Sequence, residues 1–423
     1  MQPMERRIPP RTLAADADCG ILTYLDQQDR QTRRRSQLIE NSLVGSRQMK
    51  PDTKVVVNIP AHFTEMNLQR TLDQYLRQDS ATGFEVFVLI NGPKGTDLTS
   101  SQAYRDAVEF QARNPGFPLI IGSYGYLKHE ARIGQIRREM AIVSMQRAIS
   151  SDVADIPDMI LVSNDADLQK LSNGYIDEIA SKFSSKPELA ALTGFVDYPE
   201  PDFDSDHIFY VTQRFFDVYE VIRRARNKKI TLRGGNTAYR LCDYIEAGGF
   251  RNSRMAEGRP LYYAFKRNGL ESIAVDSHRG GMKIVTSARR QLATLDQGVD
   301  LASRYLDFGT DKDVAQAYRV SSKDLRIPNR ARKYTDRNFR ASLQEQLKRF
   351  YELQAFRYPG SYSGIEDEMK LAAQILGIKL SFKRRTANSE HSKEQIAKGV
   401  VRDLEIDSID SLIKALNKKL NRF

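Results

Sequence analysis

Two cysteines, Cys19 and Cys242, are all that this chain of 423 residues contains. That scarcity excludes a disulfide framework and a cysteine-built zinc site. No apolar run approaches the ~20 residues of a membrane-spanning helix. The opening, MQPMERRIPPRTL, is basic and has no apolar signal core. A soluble cytoplasmic protein is the expectation. Hydrophobic residues at 40% and aromatic residues at 9% suffice to fill a core. The length allows two domains, or one domain with appendages. A formal net charge of +11 favours anionic partners: a nucleotide, a phosphorylated acceptor, a membrane surface or a nucleic acid. A solubilising surface is the plainer account of most of the Lys and Arg.

Apolar runs of strand length alternate with stretches of helical spacing. Strands are predicted over 54–59 (KVVVNI), 84–90 (FEVFVLI), 118–122, 159–162, 190–196 and 272–275. Helices are predicted over 67–77, 101–113, 135–149 and 171–183, with an aromatic helical stretch over 208–226. Such alternation implies right-handed βαβ units, a mainly parallel sheet and an α/β fold. Ligands of such sheets sit beyond the carboxyl ends of the strands. The loops leaving those ends are 60–65, 91–95 and 164–167. Residues 1–50 read as a basic N-terminal extension with one short helix, and 51–295 as the α/β domain. Residues 296–423 read as a helical C-terminal appendage, with helices over 339–356, 365–376 and 406–420 and a solvated linker over 383–394.

The run 160–168, ILVSNDADL, is the most informative stretch. A strand ends at Ser163 and releases Asp165 and Asp167 with one residue between them. In an extended backbone residues i and i+2 point the same way, so the two carboxylates converge. A hard divalent cation takes such oxygens together with phosphate oxygens. A turn followed by a helix cap explains the same residues without a metal.

Six segments in order resemble the nucleotide-sugar-dependent glycosyltransferases of the GT-A fold, family 2 in particular, over 54–290. VVVNIPAHFTEMNLQRTLDQYLRQ is similar to the family's opening strand, loop and helix. FEVFVLINGPKGTD is similar to its second strand and D-D-G-S-type loop. RIGQIRREMAIVSMQRA resembles the segment G-K-x-x-A-R-N-x-G, and SNDAD sits where the family carries its D-x-D. ITLRGGNTAYRLCDYIEAGGF resembles the G-G-N-x-x-x-R-R acceptor-side signature. MAEGRPLYYAFKRNG follows where the family has E-D-x-x-L-x-x-R.

The resemblance implies a GT-A fold, a nucleoside-diphosphate sugar donor, a hydroxyl acceptor and inverting transfer. Pro60 and Ala61 would let the backbone turn under a flat base. Glu65 would accept hydrogen bonds from ribose or a base N–H, with a helix-start charge as the alternative. Asn91 stands where the family has an Asp against the base edge. Arg132, Gln135 and Arg138 lie in the segment that reaches the diphosphate in relatives, with Arg137 or Arg138 near the place of the family's Arg. A guanidinium can grip phosphate with two N–H groups, and a solvated helix face is the alternative. Asp165 and Asp167 would hold Mg2+ or Mn2+, with His278 as a third ligand or a plain loop residue. Gly234 and Gly235 would permit close approach of the sugar or acceptor, and Asn236 would meet sugar hydroxyls. Glu257 would be the general base or a helix-start charge. The family's E-D pair is here Glu257-Gly258, so the second acid is missing.

A glycosyltransferase is therefore the leading expectation. The absence of membrane helices argues against a processive synthase with its own channel. The incomplete acid pair motivates an alternative, a catalytically impaired sugar-nucleotide-binding or assembly protein on the same fold. A nucleotidyltransferase ranks last, because the Gly-rich, Lys-containing N-terminal loop is absent. The basic termini, with Leu412, Leu416 and Leu420 beside Lys414, Lys418 and Lys419, offer contact to a membrane surface or an anionic acceptor. A helical-bundle appendage is the plainer reading of that face, and no nucleic acid partner is expected.

Overall fold

The structure, a computed structural model, describes residues 20–45, 48–197, 235–252, 258–274 and 281–286, with parts of 211–222, 340–351, 362–382 and 401–405. Glu257, His278, Gly234, most of the stretch 208–226, the linker 383–394 and the helix expected over 406–420 lie outside the described residues. The chain begins with α1 (Ile21–Asp26), α2 (Arg30–Asn41), β1 (Val44–Gly45), β2 (Val55–His62), α3 (Leu68–Leu76), β3 (Phe84–Pro93), α4 (Gln102–Arg113) and β4 (Leu119–Tyr126). It continues with α5 (Ile133–Ser150), β5 (Ile160–Ser163), β6 (Leu168–Leu171), α6 (Tyr175–Ser185), β7 (Leu189–Thr193) and β8 (Phe195–Asp197). Then come β9 (Thr237–Arg240), α7 (Leu241–Glu246), α8 (Gly258–Arg267), β10 (Glu271–Ala274), β11 (Lys283–Thr286), α9 (Tyr362–Leu376), β12 (Lys379–Phe382) and β13 (Val401–Glu405).

The apolar runs of β2 and β3 are those of strands covered on both faces. Seven of the eight β2 residues are buried. The main sheet has the order β1-β4-β3-β2-β5-β9-β7-β10. Strands β2, β3, β4, β5, β7 and β10 run one way, and β1 and β9 run against them. The fold is thus α/β with a mostly parallel sheet. The chain lays down β2, β3 and β4 outward, then crosses back to place β5 on the other side of β2. That reversal of strand order falls at the carboxyl ends of β2 and β5, where doubly wound sheets bind ligands. Because β9 is antiparallel, with Ser163 opposite Thr237, its amino end reaches the same edge.

Several elements differ from the sequence reading. The expected helix over 171–183 begins only at Tyr175, after β6 and Gly174, whose φ of 68° is left-handed and breaks the run. Strand β9 follows a Gly-Gly pair and is only four residues long, too short for its alternation to stand out. Residues 20–45 hold two helices and a strand rather than one short helix, and β1 extends the sheet beside β4. All of them belong to one compact unit with residues up to 195, 231–275 and 280–284. Cys242, on α7, is disulfide-bonded. Two cysteines make at most one tie within a chain, well short of a framework.

Helix α5 is buried along most of its length, so its charges must be paired inside. Arg147 Nη2 lies 2.7 Å from Glu85 Oε2. Glu139 accepts from Arg35 Nε at 2.5 Å, from Gln135 Nε2 at 2.6 Å and from the Tyr126 hydroxyl at 2.7 Å. Burial pushes the Glu139 carboxyl up, against the pull of the Arg35 guanidinium. Beside this cluster Ile39, Phe87, Leu89, Ile120, Ile136 and Met140 form a core that joins α2, the sheet and α5. Arg35→Ala would leave a buried carboxylate unpaired and should cost about 3–5 kcal/mol at pH 7. The loss should shrink as pH falls, because a neutral Glu139 needs no cation. Urea denaturation at pH 7 and pH 5 checks both statements.

Residues 196–230, 276–279 and 285–423 form a second unit. In it Phe350 meets Phe215 and Tyr219 edge-on, at 5.8 and 4.9 Å between ring centroids. Strands β12 and β13 pair antiparallel, so the C-terminal region is not wholly helical. Tyr351 packs on Phe382 of β12, and the Tyr351 hydroxyl bonds Glu366 of α9 at 3.2 Å. Among the described residues no helix is long and apolar enough to cross a membrane.

Candidate functional site

Strand β5 is short and fully buried, and it delivers the acidic turn straight out of the sheet. Asn164 and Ala166 are buried, whereas Asp165 and Asp167 between and beyond them are partly exposed. Thr71 of α3 holds this turn from behind, its hydroxyl donating to the Ala166 carbonyl at 2.6 Å. Asp165 does not stand alone. Arg137 Nη2 lies 2.6 Å from its Oδ1, and Arg137 also donates to the Ser163 hydroxyl. Arg137 is only 3% exposed, so the pair is well shielded on the arginine side. Gly235 closes the other flank: a Cβ there would stand 2.8 Å from Asp165 Oδ2. No other residue type leaves room for the carboxylate as it lies.

The structure separates the two arginines that the sequence left as alternatives. Arg137 faces Asp165, whereas Arg138 Nε donates to Gln28 Oε1 at 2.8 Å, toward the N-terminal helices. Gln135 is buried against Thr32 and Glu139 and turns away from the acidic turn. Arg132 precedes α5, and its Nη1 lies 3.4 Å from the Asn252 carbonyl, five residues before Glu257 in sequence.

At the neighbouring strand ends, β2 runs on through Pro60 and Ala61, which pair with Leu89 and Ile90 and are buried. The loop therefore starts later than the sequence suggests, after His62. His62 pairs with Asn91 across the two strands. Asn91 Nδ2 donates to the Ala61 carbonyl at 2.9 Å. Its acceptor oxygen is the group left to meet a ligand N–H. Glu65 Oε1 accepts from the backbone N–H groups of Met66 and Asn67, both at 3.1 Å. It thus serves the amino end of α3, the helix-start role raised as its alternative.

Asn236 is fully buried with a left-handed φ of 55°. Its Nδ2 donates to the Phe195 carbonyl at 2.8 Å, and its Oδ1 accepts from the Tyr175 hydroxyl at 2.8 Å. Its backbone N–H donates to Asn164 Oδ1 at 3.0 Å. Asn164 Nδ2 in turn donates to the hydroxyls of Tyr75, at 2.6 Å, and Tyr175, at 3.0 Å. Burial pushes both phenols up, so they remain protonated across the working pH range. Sequence reasoning did not single out Tyr75, Tyr175, Thr71 or Asn164. Tyr75 reads as one more apolar-face residue of α3. A polar Asn before the acidic pair was the one visible signal.

The donor set fits a hard divalent cation in kind: carboxylate oxygens at a partly exposed turn, with one already engaged by Arg137. Among the described residues no group of three or more His, Cys, Asp or Glu forms a metal cluster. Further ligands would come from phosphate and water oxygens, as is usual for Mg2+.

No protein-family model matches the chain. No curated protein matches it either. Among solved structures it is similar to the mannosyltransferase PcManGT from Pyrobaculum calidifontis in complex with GDP-Man and Mn2+, at 13% identity, 95% of this chain, 96% of that chain and a TM-score of 0.40. It is also similar to glucosyl-3-phosphoglycerate synthase from Mycobacterium tuberculosis in complex with Mn2+, UDP-glucose and phosphoglyceric acid. There the identity is 14%, the coverage 52% of this chain and 68% of that chain, and the TM-score 0.33.

Proposed function

We propose that the protein is a metal-dependent glycosyltransferase of the GT-A type, moving a sugar from a nucleoside diphosphate to a hydroxyl acceptor with inversion. One observation carries the reading. The acidic turn 165–167 leaves the sheet at the reversal of strand order, with Asp165 set between a buried arginine and a glycine where a Cβ would crowd its carboxylate. In this reading Asp165 and Asp167 hold the cation together with the donor diphosphate. A bound Mg2+ or Mn2+ neutralises charge that develops on the leaving diphosphate. Asn91 offers its amide oxygen to a base N–H, with Pro60, Ala61 and Glu65 shaping the neighbouring loop. Arg132 is the arginine proposed for the phosphates, since Arg138 turns to Gln28. Glu257 takes the proton of the acceptor hydroxyl as its oxygen attacks the anomeric carbon, and His278 is the proposed third ligand.

A second reading, a sugar-nucleotide binder without turnover, is favoured by one feature. Gly258 opens α8, so the position next to Glu257 has no side chain to offer. A thermal-shift screen of nucleoside-diphosphate sugars with and without Mn2+ tests the first reading, since a ligand that binds only the folded state stabilises it by RT ln(1 + [L]/Kd). A stabilising donor whose sugar is then released or transferred supports it. Stabilisation with no turnover across the panel supports the second, and no stabilisation by any donor rejects both. Gly235→Ala should move Asp165 and weaken Mn2+-dependent donor binding by about tenfold, while circular dichroism stays unchanged. Isothermal titration against the stabilising donor reads this.

A further inference from the structure

We propose that Asn164, Asn236, Tyr75 and Tyr175 form a buried clamp that sets the distance between the acidic turn and the Gly235 segment. In this assignment Asn236 is a positioning residue and not a sugar ligand. The inference rests on the donor-site reading above and names residues that the sequence pattern assigns otherwise or not at all.

The argument is one of hydrogen-bond capacity. A carboxamide has two N–H donors and one acceptor oxygen. Asn164 spends both donors on the two tyrosine hydroxyls and its oxygen on the Asn236 backbone N–H. Asn236 spends its side chain on Phe195, Met282 and the Tyr175 hydroxyl. The N–H groups of both side chains are committed and each oxygen accepts a bond inside the protein, so two fully buried amides present no group to a sugar. Asn164, Asn236, Tyr75 and Tyr175 are all fully buried. The Asn236 carbonyl is engaged as well, by the Gly194 N–H at 2.9 Å.

Each member comes from a different part of the fold. Tyr75 lies on α3, Asn164 follows β5, Tyr175 opens α6, and Asn236 precedes β9. Asn164 is bonded in sequence to Asp165, and Asn236 to Gly235. The clamp therefore closes one amide link away from the carboxylate and the glycine that face each other at the site. A bonded polar network inside a low-dielectric interior is stiff, and opening one bond leaves buried partners short of one. The Asn164–Asn236 bond spans 72 residues and carries the pairing of β5 with β9 one step past the strand ends.

The test uses the full-length protein and Tyr175→Phe, a change that removes one hydroxyl at a place no ligand reaches. Tyr75→Phe is the second variant. With Mn2+, both should bind UDP and UDP-glucose, or GDP and GDP-mannose, about tenfold more weakly than wild type. The ratio of nucleotide to sugar-nucleotide affinity should be unchanged, and affinity without metal should be unchanged. A merely structural role would lower metal-free binding too. Weakening confined to the sugar nucleotides would return Asn236 to sugar contact and overturn the proposal, as would wild-type affinity in both variants. Ligand-free hydrogen exchange separates this failure from failure of the donor-site reading. If wild-type protein binds neither nucleotide, the glycosyltransferase reading fails. Faster exchange of the Asn236 amide in Tyr175→Phe would still support the clamp, and unchanged exchange would overturn it.

Discussion

Asp167→Asn is expected to remove the Mn2+-dependent part of donor binding while the protein keeps its fold and melting temperature. Ala166 anchors the turn by burial and by the bond from Thr71, so the backbone should survive an isosteric change next to it. Asp167 itself is partly exposed. The amide keeps the shape but loses the charge that a hard cation requires. Even outer-shell partners of a metal cost ~10–100-fold when removed, so a direct ligand should cost at least about 100-fold. Isothermal titration with and without Mn2+ reads the effect, and unchanged affinity would sink the metal assignment. Asp165→Asn makes the informative contrast. It removes the negative charge beside the buried Arg137 guanidinium, so both metal-dependent binding and thermal stability should fall. Asp165 would thus serve both ligand and fold, through its pair with Arg137.

Glu257→Gln should lower the transfer rate by about 10²–10⁴ while leaving donor affinity near that of wild type. In-line attack on an anomeric carbon needs a base on the acceptor side, and a glutamine cannot take the proton. The expectation is sharpened by Gly258. With no second acid at the opening of α8, no adjacent carboxylate can stand in. Rate and donor affinity measured on one preparation decide the matter. A fully active variant removes Glu257 as the base. Equal loss of binding and rate would make it a donor contact instead.

Much of the scaffold was legible because strands buried on both faces leave a continuous apolar signature. KVVVNI and FEVFVLI became β2 and β3, and the spacing of Leu68, Leu72 and Tyr75 became one buried face of α3. Strand β9 was not legible, since four residues behind a Gly-Gly pair carry no period. Its absence hid the antiparallel insertion that brings Asn236 beside Asn164. By sequence the N-terminal region reads as an appendage because it is polar and basic. Its buried residues, Thr32, Arg35, Ser36 and Ile39, are mostly polar. Their place in the core depends on partners on α5 roughly a hundred positions away, such as Glu139.

The candidate site divides along the same line. Chain order alone determined that an acidic pair leaves a strand end, because which residues follow an apolar run is a local property. Whether Arg137 or Arg138 meets that pair is a matter of one helical step, ~100° of rotation. Only the packing of α5 between the sheet and α2 decides it. Asn236 is the clearest case. By sequence it is a polar residue after two glycines, free to meet a sugar. In the fold its bonds are filled by residues drawn from four distant segments, because a buried amide must find partners wherever the tertiary structure supplies them.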